Sequence, residues 1–177
     1  ELHNMFLRTF GFMLSENQPW LIKKLIQLDF QKSDDGSGNF EIFNESIMDG
    51  SAEGWEKTQQ ERQKLILKWE AFFTKYDFFI CPVTYDAAFK KQESWKDIKA
   101  DDGNTINYMG YVPYSYIINA TGHPAITVPL GLNKLGLPIG IQIVGPMYSE
   151  PELLHLAELL YPLTSKFVAP KTLKVSN

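Results

Sequence analysis

Along the first part of the chain, apolar side chains return at helical spacing: Met5, Phe6, Phe10 and Met13, then Trp20, Leu21, Leu25 and Leu28. Asn17-Gln18-Pro19 interrupts the pattern, and proline favours the first turn of a new helix, so two helices are predicted within Leu2 to Phe30. Lys32 to Asn39 is polar and rich in Gly, Asp and Ser, the composition of an exposed loop. A long helix is predicted from about Ser51 to Tyr76, with Leu65, Trp69, Phe72, Phe73 and Tyr76 on one stripe and Glu56, Lys57, Gln60, Lys64 and Lys68 on the wet side. It runs into a strand from Asp77 to Val83. Lys90 to Asn104 is charged and reads as a loop, with Trp95 as an anchor. Asn107 to Thr121 predicts a helix that is apolar or aromatic nearly all round and closed by Gly122 as a left-handed cap.

Ala125 to Leu130 and Ile139 to Val144 predict two strands joined by the turn-rich Gly131 to Pro138. Both are aliphatic on both faces, the pattern of a sheet covered on two sides rather than a half-wet antiparallel sheet. Ser149 with Glu152 three residues later forms a capping-box pattern ahead of Leu153, Leu156, Ala157 and Leu160. Phe167 to Asn177 reads as a tail. The expected fold class is therefore α/β, with helices layered on a sheet.

Composition agrees with a packed core: of 177 residues, 44% are hydrophobic and 21% charged, too apolar for a disordered chain. The single cysteine, Cys81, has no partner for a bridge and stands in the apolar run Phe78-Phe79-Ile80, so a buried thiol is expected. A formal charge of −4 with no basic, aromatic-laced face argues against a nucleic-acid partner. No apolar run is long enough to span a membrane and the N-terminus lacks a signal-peptide pattern, which makes a cytoplasmic setting the expectation. The chain opens at Glu1 with helical periodicity already running by Met5, and is expected to be a piece of a longer protein.

Chemistry-bearing constellations are sparse. There is no Gly-x-Ser-x-Gly elbow, and His3, His123 and His155 are scattered, each better suited to a structural or exposed role than to activating a nucleophile. Asp34-Asp35 and Asp101-Asp102 are adjacent pairs whose side chains diverge, and they read as solvated acidic loops; no metal or cofactor is expected. The informative stretch is Asn119 to Gly131 followed by Gly136 to Pro146, where glycines and prolines punctuate two aliphatic strands and Gln142 is embedded in one of them. Gly140 permits a close backbone approach. A buried Gln142 requires partners, by bracing a neighbouring element or by facing a polar pocket, with bracing preferred.

Asn119, Gly122, Pro124, Ala125, Pro129, Gly131, Gly136, Leu137, Pro138, Gly140, Gln142 and Gly145, with Glu152, Leu153 and Leu154 opening the next helix, resemble the C-terminal part of the amidase signature family. Asp77 to Thr84, with Pro82, is similar to the strand that follows the family's long helix, so the likeness covers about residues 50 to 165. The resemblance implies an α/β/α mixed-sheet fold and a serine hydrolase of carboxamides that works through an acyl-enzyme. The family's lysine and its Gly-Ser-Ser-Gly-type loop have no counterpart here, and Gly36-Ser37-Gly38 lacks the doubled serine, so no catalytic residue is carried over. Residues 1–177 are expected to be the C-terminal portion of one amidase domain, inert alone, with the rest of that domain as partner and a homodimer along the unpaired sheet edge as a further expectation. In this family the C-terminal region lines the substrate channel, which implies that Tyr111, Tyr114, Ser115 and Ile118 bind a small-molecule amide, or only pack. Two alternatives are a glutaminase subunit of an amidotransferase complex and a non-catalytic truncated paralogue acting as a binding module.

Overall fold

The computed structural model describes residues 2–34, 36, 38–92 and 96–165. Trp95 and the tail from Phe167 lie outside the described residues. Four helices come first: α1 (Leu2–Ser15), α2 (Trp20–Phe30), α3 (Asn39–Asp49) and α4 (Ala52–Phe73). The break between α1 and α2 falls at Asn17, which adopts φ 56°, and Pro19 caps α2 as its position suggests. The helix α3 lies where no element is predicted. Its apolar residues Phe43 and Ile47 are fully buried against Leu7 and Phe30, and left-handed Gly38 and Gly50 bracket it. At the crossing of α1 and α3, a Cβ on Gly11 would come 2.9 Å from the Phe43 carbonyl oxygen and 2.7 Å from Ser46 Oγ, so only hydrogen fits there.

Helix α4 starts on a true N-cap: Ser51 Oγ accepts from the Gly54 amide at 3.0 Å. It ends at Phe73, short of Tyr76, which is exposed. The chain continues into β1 (Phe79–Pro82), then through a hairpin of β2 (Ile98–Lys99), inside the segment expected to be a loop, and β3 (Thr105–Ile106), just beyond its end. Ile98 anchors that hairpin in the interior.

The helix expected over Asn107 to Thr121 is divided into a 3-10 turn, Tyr108–Tyr111, and α5 (Pro113–Thr121). Pro113 is the reason: it has no amide hydrogen for a preceding turn and is suited to a first helical position. Gly122 closes α5 at φ 78°, with its amide donating to the Ile118 carbonyl at 2.9 Å. The strands β4 (Ala125–Leu132) and β5 (Pro138–Val144) form an antiparallel hairpin, and β1 pairs antiparallel on the other side of β5, giving the order β1-β5-β4. Helix α6 (Glu150–Leu160) covers one face of this sheet through Leu153, which packs on Val128 and Ile143.

The fold is mixed α/β, as expected. Burial along β4 departs from the two-sided pattern, since Thr127, Pro129, Leu130 and Leu132 are exposed. One helix covers one face of β4 here, and aliphatic composition alone does not report which face lacks a cover. The capping box is also absent. Ser149 Oγ donates backwards to the Pro146 carbonyl at 2.7 Å instead of accepting from the first turn of α6. Among the described residues no helix is long and apolar enough to cross a membrane.

Candidate functional site

Beyond Pro82 the chain leaves the sheet and is held by α5 and the turn that precedes it. Ser115 Oγ donates to the Val83 carbonyl at 2.8 Å, the Tyr85 amide donates to the Tyr111 carbonyl at 2.9 Å, and Tyr111 Oη donates to the Ala87 carbonyl. The Tyr111 ring also meets Phe89 edge-on, with centroids 5.1 Å apart. Burial raises the Tyr111 phenol above the ordinary tyrosine range, and the carboxylates of Asp86 and Asp101 add to the rise. The phenol is thus held neutral, as a donor.

Held this way, residues 83–88 stand opposite Thr127 of β4 and Pro138, Ile139 and Gly140 of β5, and a cavity of about 360 Å³ lies between them. Its size is in the range of small-molecule sites. Gly140 brings the two strands together, because a Cβ there would come 2.9 Å from Thr127 Cγ2 and 3.1 Å from the Val128 carbonyl oxygen. Two polar side chains on the wall, Thr84 and Asp86, are already engaged. Thr84 Oγ1 donates to the Asp86 carbonyl at 2.7 Å, while the Asp86 carboxylate accepts the amides of Ala87 at 2.7 Å and Asp101 at 2.5 Å. Two backbone amides thus fix the orientation of the Asp86 carboxylate on this wall.

Of the four residues expected to bind substrate, the structure brings two together. Tyr111 and Ser115 both grip the segment that lines the cavity. Tyr114 is 39% exposed, and Ile118 is buried. Thr84, Asp86 and Thr127 line the cavity and were not singled out from the sequence; the end of the apolar β1 run at Pro82 was the available signal.

Two further cavities are larger. One of about 440 Å³ lies between α1, α2 and α4 at Phe12, Lys23 and Trp55, and one of about 610 Å³ lies between the end of α4 and α6. Neither is formed by the motif-bearing strands β4 and β5. Gln142 acts as a brace, with Nε2 donating to Cys81 Sγ at 3.3 Å across the β1–β5 pair. Burial pushes the Cys81 thiol up in pKa, with the amide bond opposing. Among the described residues no group of three or more His, Cys, Asp or Glu side chains is arranged to hold a metal ion.

At the other end of α5, His123 is buried between the rings of Trp69 and Phe73. Its Nδ1 is 2.9 Å from Thr121 Oγ1 and its Nε2 is 3.3 Å from Glu70 Oε1. That second contact lies off the line of a ring N–H hydrogen bond. Burial lowers the His123 pKa, and the Glu70 carboxylate opposes the shift.

The model of the family described as Amidase matches residues 26–154. The chain belongs to the amidase family. Every residue lining the 360 Å³ cavity falls within that span. A glutamyl-tRNA(Gln) amidotransferase subunit of Brevibacillus brevis is 35% identical over 120 residues, a match covering 66% of this amidase-family chain and 22% of that protein. The corresponding protein of Treponema denticola is 30% identical over 147 residues, covering 72% of the chain and 29% of that protein. The chain therefore spans less than a third of the length of these curated relatives. In three dimensions it is similar to a bacterial aryl acylamidase of the amidase signature enzymes (TM-score 0.54, 18% identity, covering 80% of this chain and 31% of the other).

Proposed function

We propose that the chain is the C-terminal portion of an enzyme that cleaves carboxamide C–N bonds, and that it supplies a wall of the substrate site rather than the nucleophile. The observation that carries this reading is the clamp of Ser115 and Tyr111 on residues 83–88, which opens a cavity against β4 and β5 within the family-matched span. In the proposed reaction a serine elsewhere in the intact protein attacks the amide carbon and the C–N bond breaks. The amine leaves with a proton, and water then releases the acid from the acyl-enzyme. The contribution of this chain is positional, holding the acyl or amine part of a small amide.

The test is substrate selectivity in the intact protein. Thr127→Leu narrows the cavity and is expected to lower kcat/KM for bulky amides at least tenfold relative to the smallest ones. An unchanged ratio overturns the reading. Ser115→Trp, which removes the clamp hydroxyl and adds bulk behind residues 83–88, is expected to shift the same preference.

The names of the relatives favour a second reading, in which the parent is a glutaminase subunit of an amidotransferase. Hydrolysis of glutamine in preference to simple amides, with a protein partner co-purifying, supports it. Simple amides turned over by a partner-free enzyme favour the first.

A further inference from the structure

Helix α5 carries the clamp at its N-terminal end, and what fixes its C-terminal end is a buried polar chain. Thr121 Oγ1 has one proton and three claimants, the weakest being the Ile117 carbonyl oxygen at 3.5 Å. The hydroxyl lies 3.1 Å from the Ile118 carbonyl oxygen and 2.9 Å from His123 Nδ1. On the far side of the ring, Nε2 faces Glu70 Oε1, and both of these atoms are shut off from solvent. A carboxylate facing Nε2 favours a proton on that nitrogen. In the neutral imidazole, Nδ1 is then an acceptor and Thr121 donates to it. When the ring takes a second proton, Nδ1 becomes a donor, and the Thr121 hydroxyl must turn back to the helix carbonyls, the nearer being that of Ile118, which already accepts the Gly122 amide. The charge on one ring therefore dictates the hydrogen-bond direction in the last turn of α5.

We propose that His123, with Glu70 and Thr121, is a positioning residue for the candidate site, fastening α5 to α4 when neutral and loosening α5 and the clamped residues 83–88 when protonated. The proposal rests on the reading that those residues line a substrate cavity. Other charged and titratable groups meet this junction. From α4, Arg62 Nε donates to the Ala120 carbonyl at 2.5 Å; from α1, His3 Nδ1 lies 2.7 Å from Tyr116 Oη on another side of α5. Among them Glu70 is the charge that acts on His123, and it favours the protonated ring, while burial between Trp69 and Phe73 opposes protonation.

The experiment is native-state amide hydrogen exchange of the intact protein from pH 8 to pH 5, corrected for intrinsic rates, following α5 and residues 83–89. The expected result is that protection of both segments falls together below pH 6.5, by up to about tenfold per pH unit. In His123→Gln both profiles are flat, and in His3→Gln the transition remains. Should His123→Gln fail to fold, Glu70→Gln serves instead: loss of the carboxylate makes the ring harder to protonate within the fold, so the fall in protection extends to lower pH. Protection of residues 83–89 that does not follow pH overturns the proposal. So does an identical fall in His123→Gln, or an α5 transition that leaves 83–89 untouched. Catalysis is not the readout, so an absence of amide hydrolysis would overturn the proposed function while leaving this coupling to be judged by exchange alone.

Discussion

The two ends of α5 are fastened by different chemistry. At the N-terminal end, the hydroxyls of Ser115 and Tyr111 donate to backbone carbonyls of the segment they hold. These donors keep one protonation state over the ordinary pH range. At the C-terminal end, the fastening runs through an imidazole whose donors and acceptors exchange with pH. Hydroxyl-to-carbonyl bonds give a constant geometry; an imidazole buried against a carboxylate gives one that responds to its surroundings.

The largest expected break in this comparison is His123→Ala. It empties the space between Trp69 and Phe73 and leaves Glu70 Oε1 buried without a neighbour, so a loss of ~3 kcal/mol is expected in chemical denaturation of the intact protein. Acidification comes next. The folded-state pKa of His123 is below its ordinary value of 6.5, so below pH 6.5 the unfolded chain binds the proton more readily. Stability then falls as pH drops from 6.5 towards the folded pKa, by at most about 1.4 kcal/mol per pH unit, and levels off below it. Denaturation midpoints at pH 7.5 and pH 5.5, with His123→Gln as the control, measure this contribution.

At the other end, Tyr111→Phe and Ser115→Ala each remove one donor and are expected to cost about 1 kcal/mol at pH 8, where His123 is neutral. In a His123→Gln background the same cost is expected at pH 5.5, and a cost that still varied with pH there would erase the distinction between the ends. Tyr114→Ala, on the exposed side, is expected to change stability by less than ~0.5 kcal/mol.

How much of this was legible in the sequence follows from where the information is local. The breaks at Pro19 and Gly122 and the cap at Ser51 are set by single residues, and the periodicity around them gave α1, α2 and α4. Helix α3 was hidden because the polar, Gly-rich Lys32 to Asn39 draws the reading towards a loop, although Phe40, Phe43 and Ile47 at i, i+3 and i+7 carried the signal. Pro113 inside an aromatic run should have divided the helix around it. The β2–β3 hairpin has two residues per strand and depends on the burial of Ile98, so no periodicity could reveal it. At the candidate site, the sequence reading named Tyr111 and Ser115, which hold the lining segment from outside, and not Thr84, Asp86 and Thr127, which line the cavity. Those three come together only when an antiparallel sheet and a distant helix position them, and that is tertiary information.

The crossing of α1 over α3 at Gly11 acts as a locating pin. Sliding α1 by one residue would drive Phe10 or Phe12 into a gap that admits only a hydrogen atom, so α1 has a single axial setting. From that setting Phe6 stacks on Tyr116, with centroids 4.6 Å apart, and Met5 reaches Ala120, both on α5. The helix that holds the candidate cavity is thus indexed from behind by a glycine on the helix packed against it, and a methyl group added there would be felt as a change of alignment at the cavity.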